Sequence, residues 1–106
     1  MLSEVNTVKK IFISQPMSGK TDEEIAEQRK KAVMILNNYF EEKIEVIDSI
    51  ITDAPKNVKP LWYLSKSLEL MSNADVVVFT KGWEKYRGCR LEHTCAIEYG
   101  IRIVEL

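Results

Sequence analysis

Ala74-Asp75-Val76-Val77-Val78-Phe79, followed by Thr80-Lys81-Gly82-Trp83-Glu84-Lys85-Tyr86-Arg87-Gly88-Cys89-Arg90-Leu91-Glu92, is the stretch that decides the fold. Its first part is an unbroken apolar run rich in β-branched residues, which reads as a strand buried on both faces, as in a parallel sheet. A polar loop with two glycines follows, and then a pattern that is helical from about Arg87 to Tyr99, with Gly100 as its C-cap. In open α/β sheets the ligand crevice lies beyond the carboxyl ends of the strands. Glu92 is therefore expected in the first turns of a helix that opens on that crevice, where the helix dipole favours an ionised carboxylate. A charged, positioned carboxylate is a candidate nucleophile. A solvated acid at a helix start is the plainer reading of the same residue.

Working outward, Val8 to Ser14 reads as the first strand, and Gln15-Pro16-Met17-Ser18-Gly19-Lys20 as a loop punctuated by proline and glycine. Thr21 and Glu24 have capping-box spacing. Ile25, Val33, Leu36 and Phe40 then recur at helical spacing with Ala32 beside them, and Arg29 at the stripe's edge reads as a snorkelling side chain. Ile44 to Asp48 is a short second strand, with the acid at its crevice end. Ser49 to Pro60 is the longest irregular segment and a candidate flap. Leu61, Leu64, Leu68 and Met71 mark a second helix started at Pro60, with Trp62 or Tyr63 in the core or at an interface. Ile101 to Val104 is a terminal strand. The alternation β-α-β-α-β-α-β implies one α/β domain over residues 1–106. Its form is a Rossmann-like or flavodoxin-like three-layer sandwich with a four-stranded parallel sheet in the order 2-1-3-4.

Fifteen basic against sixteen acidic residues, a net charge of −1, gives no sign of nucleic acid or an anionic membrane as partner. Near-neutral charge favours self-association. No apolar run reaches the length of a membrane span, and Met1 to Asn6 lacks a signal-peptide pattern, so a cytoplasmic location is expected. Cys89 and Cys95 make no disulfide scaffold, and with the single His93 they fall short of a structural zinc set. A Cys89–His93 nucleophile pair is geometrically conceivable. Gly19-Lys20-Thr21 is no Walker A loop, because Ser14 stands where that motif needs glycine. No metal or cofactor is expected.

Three strand ends converge in this topology: Ser14 to Gly19, Asp48, and Gly82 to Glu92. The first loop leads into a helix N-terminus, whose free N–H groups can hold a phosphate, and Ser18 and Gly19 suit close approach. A turn of small residues without a ligand satisfies the same pattern. Trp83 and Tyr86 suit stacking on a planar base or packing at the rim.

Lys10 to Gly19, Ala74 to Phe79, and Gly82 to Glu92 with Ala96 and Gly100 together resemble the nucleoside 2-deoxyribosyltransferase superfamily. The Gly-Trp-Glu-x-x-x-Gly-x-x-x-Glu pattern points to its branch of short bacterial and phage proteins. The resemblance implies Glu92 as the nucleophile that attacks the anomeric carbon of a nucleoside or nucleoside 5′-monophosphate. It also implies that Ser14, Gln15, Pro16, Met17, Ser18 and Gly19, with Gly88 and Cys89, hold the sugar or its 5′-substituent, and that the protein is a homodimer or larger homo-oligomer. Two supporting positions depart from the pattern. Ser67 stands where an aspartate helps position the sugar or protonate the leaving base, and Tyr86 where a serine or aspartate is common. The acid role then falls to Asp48, Glu84 or Tyr86. The alternatives are a module that binds a nucleotide or nucleotide-sugar without catalysis, or a protein-interaction domain.

Overall fold

In the computed structural model, residues 7–106 are described. Met1 to Asn6, read above for a targeting signal, lie outside them. Strand β1 (Val8–Ser14) starts at the surface and is buried from Ile11 onward. Helix α1 (Asp22–Tyr39) is started by the reciprocal capping box of Thr21 and Glu24 and carries Asp22, Glu23 and Glu24 in its first turn. Strand β2 (Lys43–Val46) follows, then the irregular segment, and then helix α2 (Pro60–Met71), with proline in its first turn as expected. Strand β3 (Val76–Phe79) is buried at every position, which is what the apolar run requires. A single 3₁₀ turn (Trp83–Lys85), helix α3 (Arg87–Glu98) and strand β4 (Arg102–Glu105) complete the order.

All strand pairings are parallel and the order is β2-β1-β3-β4, as the sequence predicts. One core lies under α1, formed by Ile11, Ile13, Ala32, Leu36, Phe40, Val76 and Val78. The other, formed by Phe12, Met71, Val77, Phe79 and Ala96, lies under α2 and α3. Strand alternation divides the two, since successive side chains of β1 and β3 point to opposite faces.

Several boundaries shift, each for a local reason. Ile47 N–H still reaches the Ile11 carbonyl at 2.8 Å, but Asp48 leaves the ladder and its carboxylate accepts the Ile50 N–H at 3.2 Å. Asp75 stands at the edge of its strand: its N–H donates to the Lys10 carbonyl at 2.8 Å, but the Lys10 N–H goes to the Asp75 carboxylate, also at 2.8 Å, a ladder position filled by a side chain. Leu61, expected on the buried stripe of α2, is 72 % exposed, while Leu68 and Met71 make the expected contacts, joined by Leu70. Helix α3 ends in a Schellman motif: Gly100, at φ 70°, donates to the Ile97 carbonyl and Ile101 to that of Ala96.

Candidate active site at the strand ends

The strand order reverses between β1 and β3: the chain runs outward from β1 to β2 on one side and from β3 to β4 on the other. At such a switch point the loops beyond the strand ends separate and leave a crevice. Ser14, paired in register with Phe79, is the last residue of β1 at this point. Its position in the alternation puts its side chain on the α2/α3 face.

Glu92 comes down to meet it from the second turn of α3. The Ser14 hydroxyl donates to Glu92 Oε1 at 2.5 Å, and both residues are buried. Among the described residues no cation pairs with the carboxyl; its polar neighbours are the hydroxyls of Ser14 and, from α2, Ser67. Burial pushes the Glu92 carboxyl above the usual carboxylate range, because a charge in a low-dielectric site loses its hydration. The Ser14 hydroxyl, which donates to the carboxyl, and the nearby Ser67 hydroxyl oppose this by favouring the charged form. The result is an acid held in place by neutral donors, free of a salt link and able to change its protonation state.

Cys89, one turn earlier on α3, is buried in the same group. Burial pushes its thiol up, the nearby Glu92 adds to the rise, and the Ser14 hydroxyl and Arg90 oppose it. A thiol so placed stays protonated and is a weak nucleophile. His93 does not activate it. The imidazole lies at 4.2 Å in a stack on Trp83, and its Nε2 is 3.1 Å from Glu105. The Cys89–His93 pair is therefore not assembled.

The other residues singled out in the sequence divide into two groups. Gln15 and Pro16 are buried at the end of β1, where Gln15 Nε2 donates to the Ile25 carbonyl at 2.6 Å and to Gln28 Oε1 at 3.2 Å. Met17, Ser18 and Gly19 form the exposed turn that follows, closed by Lys20 N–H on the Met17 carbonyl. Asp48 is exposed beyond β2, and Gly88 is exposed in the first turn of α3. Trp83 packs against Phe79 as well as His93, so the rim reading of this ring has direct contacts behind it. Tyr86 is the N-cap residue of α3 and half-buried.

Arg29 does more than snorkel. Its guanidinium donates to the Ile47 carbonyl at 2.8 Å and to Ser49 Oγ at 3.3 Å, tying the exit of β2 to α1. Burial lowers its pKa and nearby Asp48 opposes the shift. Ser67, beside Glu92, and Thr80, buried just past the end of β3 on the α1 face, are residues that the sequence reading did not select. The available signal was local: Ser14 and Thr80 are each the first polar residue after a buried apolar run.

The sequence pattern of the family described as Domain of unknown function (DUF4406) matches residues 9–105. The chain belongs to that family. The match runs from β1 through β4, so the strand-end site lies entirely inside the family domain. No curated protein matches the chain significantly. Among the described residues no helix is long and apolar enough to cross a membrane.

Proposed function

We propose that this chain cleaves or transfers at the N-glycosidic bond of a (deoxy)nucleoside or nucleoside 5′-monophosphate, with Glu92 as nucleophile. The observation that carries the reading is the buried Ser14–Glu92 hydrogen bond at the switch point of the sheet. A carboxylate oxygen of Glu92 attacks the anomeric carbon, the C–N bond breaks, and the base departs with the bonding pair and takes up a proton. Water or a second base then attacks the same carbon and releases Glu92. Ser14 holds the carboxylate in its attacking orientation, and the Ser14 and Ser67 hydroxyls favour its ionised form against the larger, opposite effect of burial. The residue resemblance described above supports the same assignment.

The test is release of free base from a panel of nucleosides and their 5′-monophosphates. The wild type releases base and Glu92→Gln does not; absence of release from every substrate removes the reading. A second reading is a nucleotide-binding module without turnover. It is favoured by the fact that, among the described residues, Glu92 is the sole buried carboxyl, so no second buried acid stands ready for the leaving base. In that case nucleotides raise the melting temperature of both wild type and Glu92→Gln with no base released. Assembly into a homodimer or larger oligomer belongs to the first reading and is supported by the exposed Leu61 and Tyr63 on α2. Two free cysteines accord with a reducing, cytoplasmic setting.

A further inference from the structure

Among the described residues, two buried side-chain atoms have no hydrogen-bond partner: Gln15 Oε1 and Thr80 Oγ1. Buried polar groups are paired in the great majority of cases, so two orphans together call for an explanation. They stand side by side. The Thr80 N–H donates to the Ser14 carbonyl at 3.2 Å, carrying the β1–β3 ladder one step past the Ser14–Phe79 pair to the level of Gln15. They also share a face. Ile11, Ile13, Val76 and Val78 pack toward α1, and alternation sends Gln15 and Thr80 the same way. The Gln15 contacts to Ile25 and Gln28 of α1 agree with this. Both orphans therefore sit at the switch point, across the strand ends from Glu92.

The chemistry of the pair is selective. Gln15 has both amide protons committed to α1, so its Oε1 can only accept. The Thr80 hydroxyl can donate and accept. An anion has no proton for Gln15, and an ammonium leaves the Thr80 proton unused. A hydroxyl group, which like a water molecule both donates and accepts, can donate to Gln15 and accept from Thr80.

We propose that Gln15 and Thr80 form a subsite for one hydroxyl of a polyhydroxylated ligand, a pentosyl group, on the α1 side of the strand ends. The choice of a pentosyl group rests on the N-glycosidic reading; the hydroxyl chemistry does not. Both atoms are closed to solvent, so entry requires movement of the turns that follow the two strands. Each turn is closed by one backbone hydrogen bond, Lys20 N–H to Met17 and Trp83 N–H to Thr80.

The test compares wild type, Thr80→Val and Thr80→Ser by thermal melting and by calorimetric titration. The probes are nucleoside and deoxynucleoside 5′-monophosphates, ribose and 2-deoxyribose. Thr80→Val removes an unpaired hydroxyl, so its melting temperature without probe equals or exceeds that of wild type, while affinity for the probes falls about tenfold. Thr80→Ser keeps the hydroxyl and keeps the affinity. The proposal is overturned if Thr80→Val melts lower, which would mean the two side chains pair with each other. It is equally overturned if Thr80→Val binds as wild type does, or if no probe binds wild type. Probe binding without base release removes the N-glycosidic reading alone.

Discussion

The two ends of the sheet are built on opposite terms. At the amino end, polar groups stay in water: Lys9 pairs with Glu42 at 3.3 Å, and Arg102 lies 5.2 Å over the Phe40 ring. A shallow hollow of about 540 Å³ there is lined by Tyr39, Phe40, Glu41, Glu42 and Arg102. At the carboxyl end the chain buries Ser14, Gln15, Ser49, Thr80 and Glu92, which are all of the buried polar residues among those described. Burying such groups opposes folding unless each is well paired, and two of them hold unpaired atoms. The difference is that the carboxyl end, where a sheet of this topology places its crevice, gathers the buried polar groups, and the amino end leaves its own in water.

Substitutions can break or sharpen this contrast. The largest effect is expected for Glu92→Gln, with base release falling at least about 10³-fold and the far-UV circular dichroism unchanged. The same variant tests the cost of the buried acid. The folded pKa of Glu92 is raised above its unfolded value, so the folded state holds the proton more tightly. Below the unfolded value both states are protonated and burial of the charge costs nothing. As pH rises through the raised folded value, wild type loses stability that Glu92→Gln retains. Urea melts at pH 7 should therefore favour the variant, and the gap should close near pH 4.

Next in size is Leu36→Ala, at a fully buried position of the α1-side core. It should lower unfolding free energy by about 2–5 kcal/mol, while the folded fraction keeps its turnover. Ser14→Ala should cost about 1–3 kcal/mol and raise the Glu92 pKa further, moving the alkaline-rising limb of the pH–rate profile to higher pH. The smallest change is expected for Arg102→Ala at the amino end, about 0.5–1 kcal/mol in a urea melt, with turnover unaltered. A large loss of turnover in Arg102→Ala would erase the distinction between the two ends.

The architecture was legible because its signals are local. The run from Val76 to Phe79, the Thr21–Glu24 capping box, Pro60 and Gly100 each act within a few residues, and each stands where expected. The misplaced details came from competing side chains. Asp48 left its strand, and Asp75 stands at the edge of its own, where their carboxylates take backbone N–H groups, and a hydrophobicity pattern does not register that choice. Leu61 fitted the periodic stripe yet falls at the exposed start of its helix. Of the site, Glu92 and Ser14 were each visible alone, but their contact spans 78 positions and no spacing rule reaches that far. Ser67 drew notice only as a mismatch, and it is one of the two hydroxyls beside Glu92.

The separation between Ser14 and Glu92 also orders the molecule's assembly in time. During synthesis, β1, β2 and β3 all emerge before α3, so three quarters of the chain can present the serine with no acid beside it. The acid arrives last. A nascent or prematurely ended product that stops short of α3 thus lacks the buried Ser14–Glu92 contact altogether.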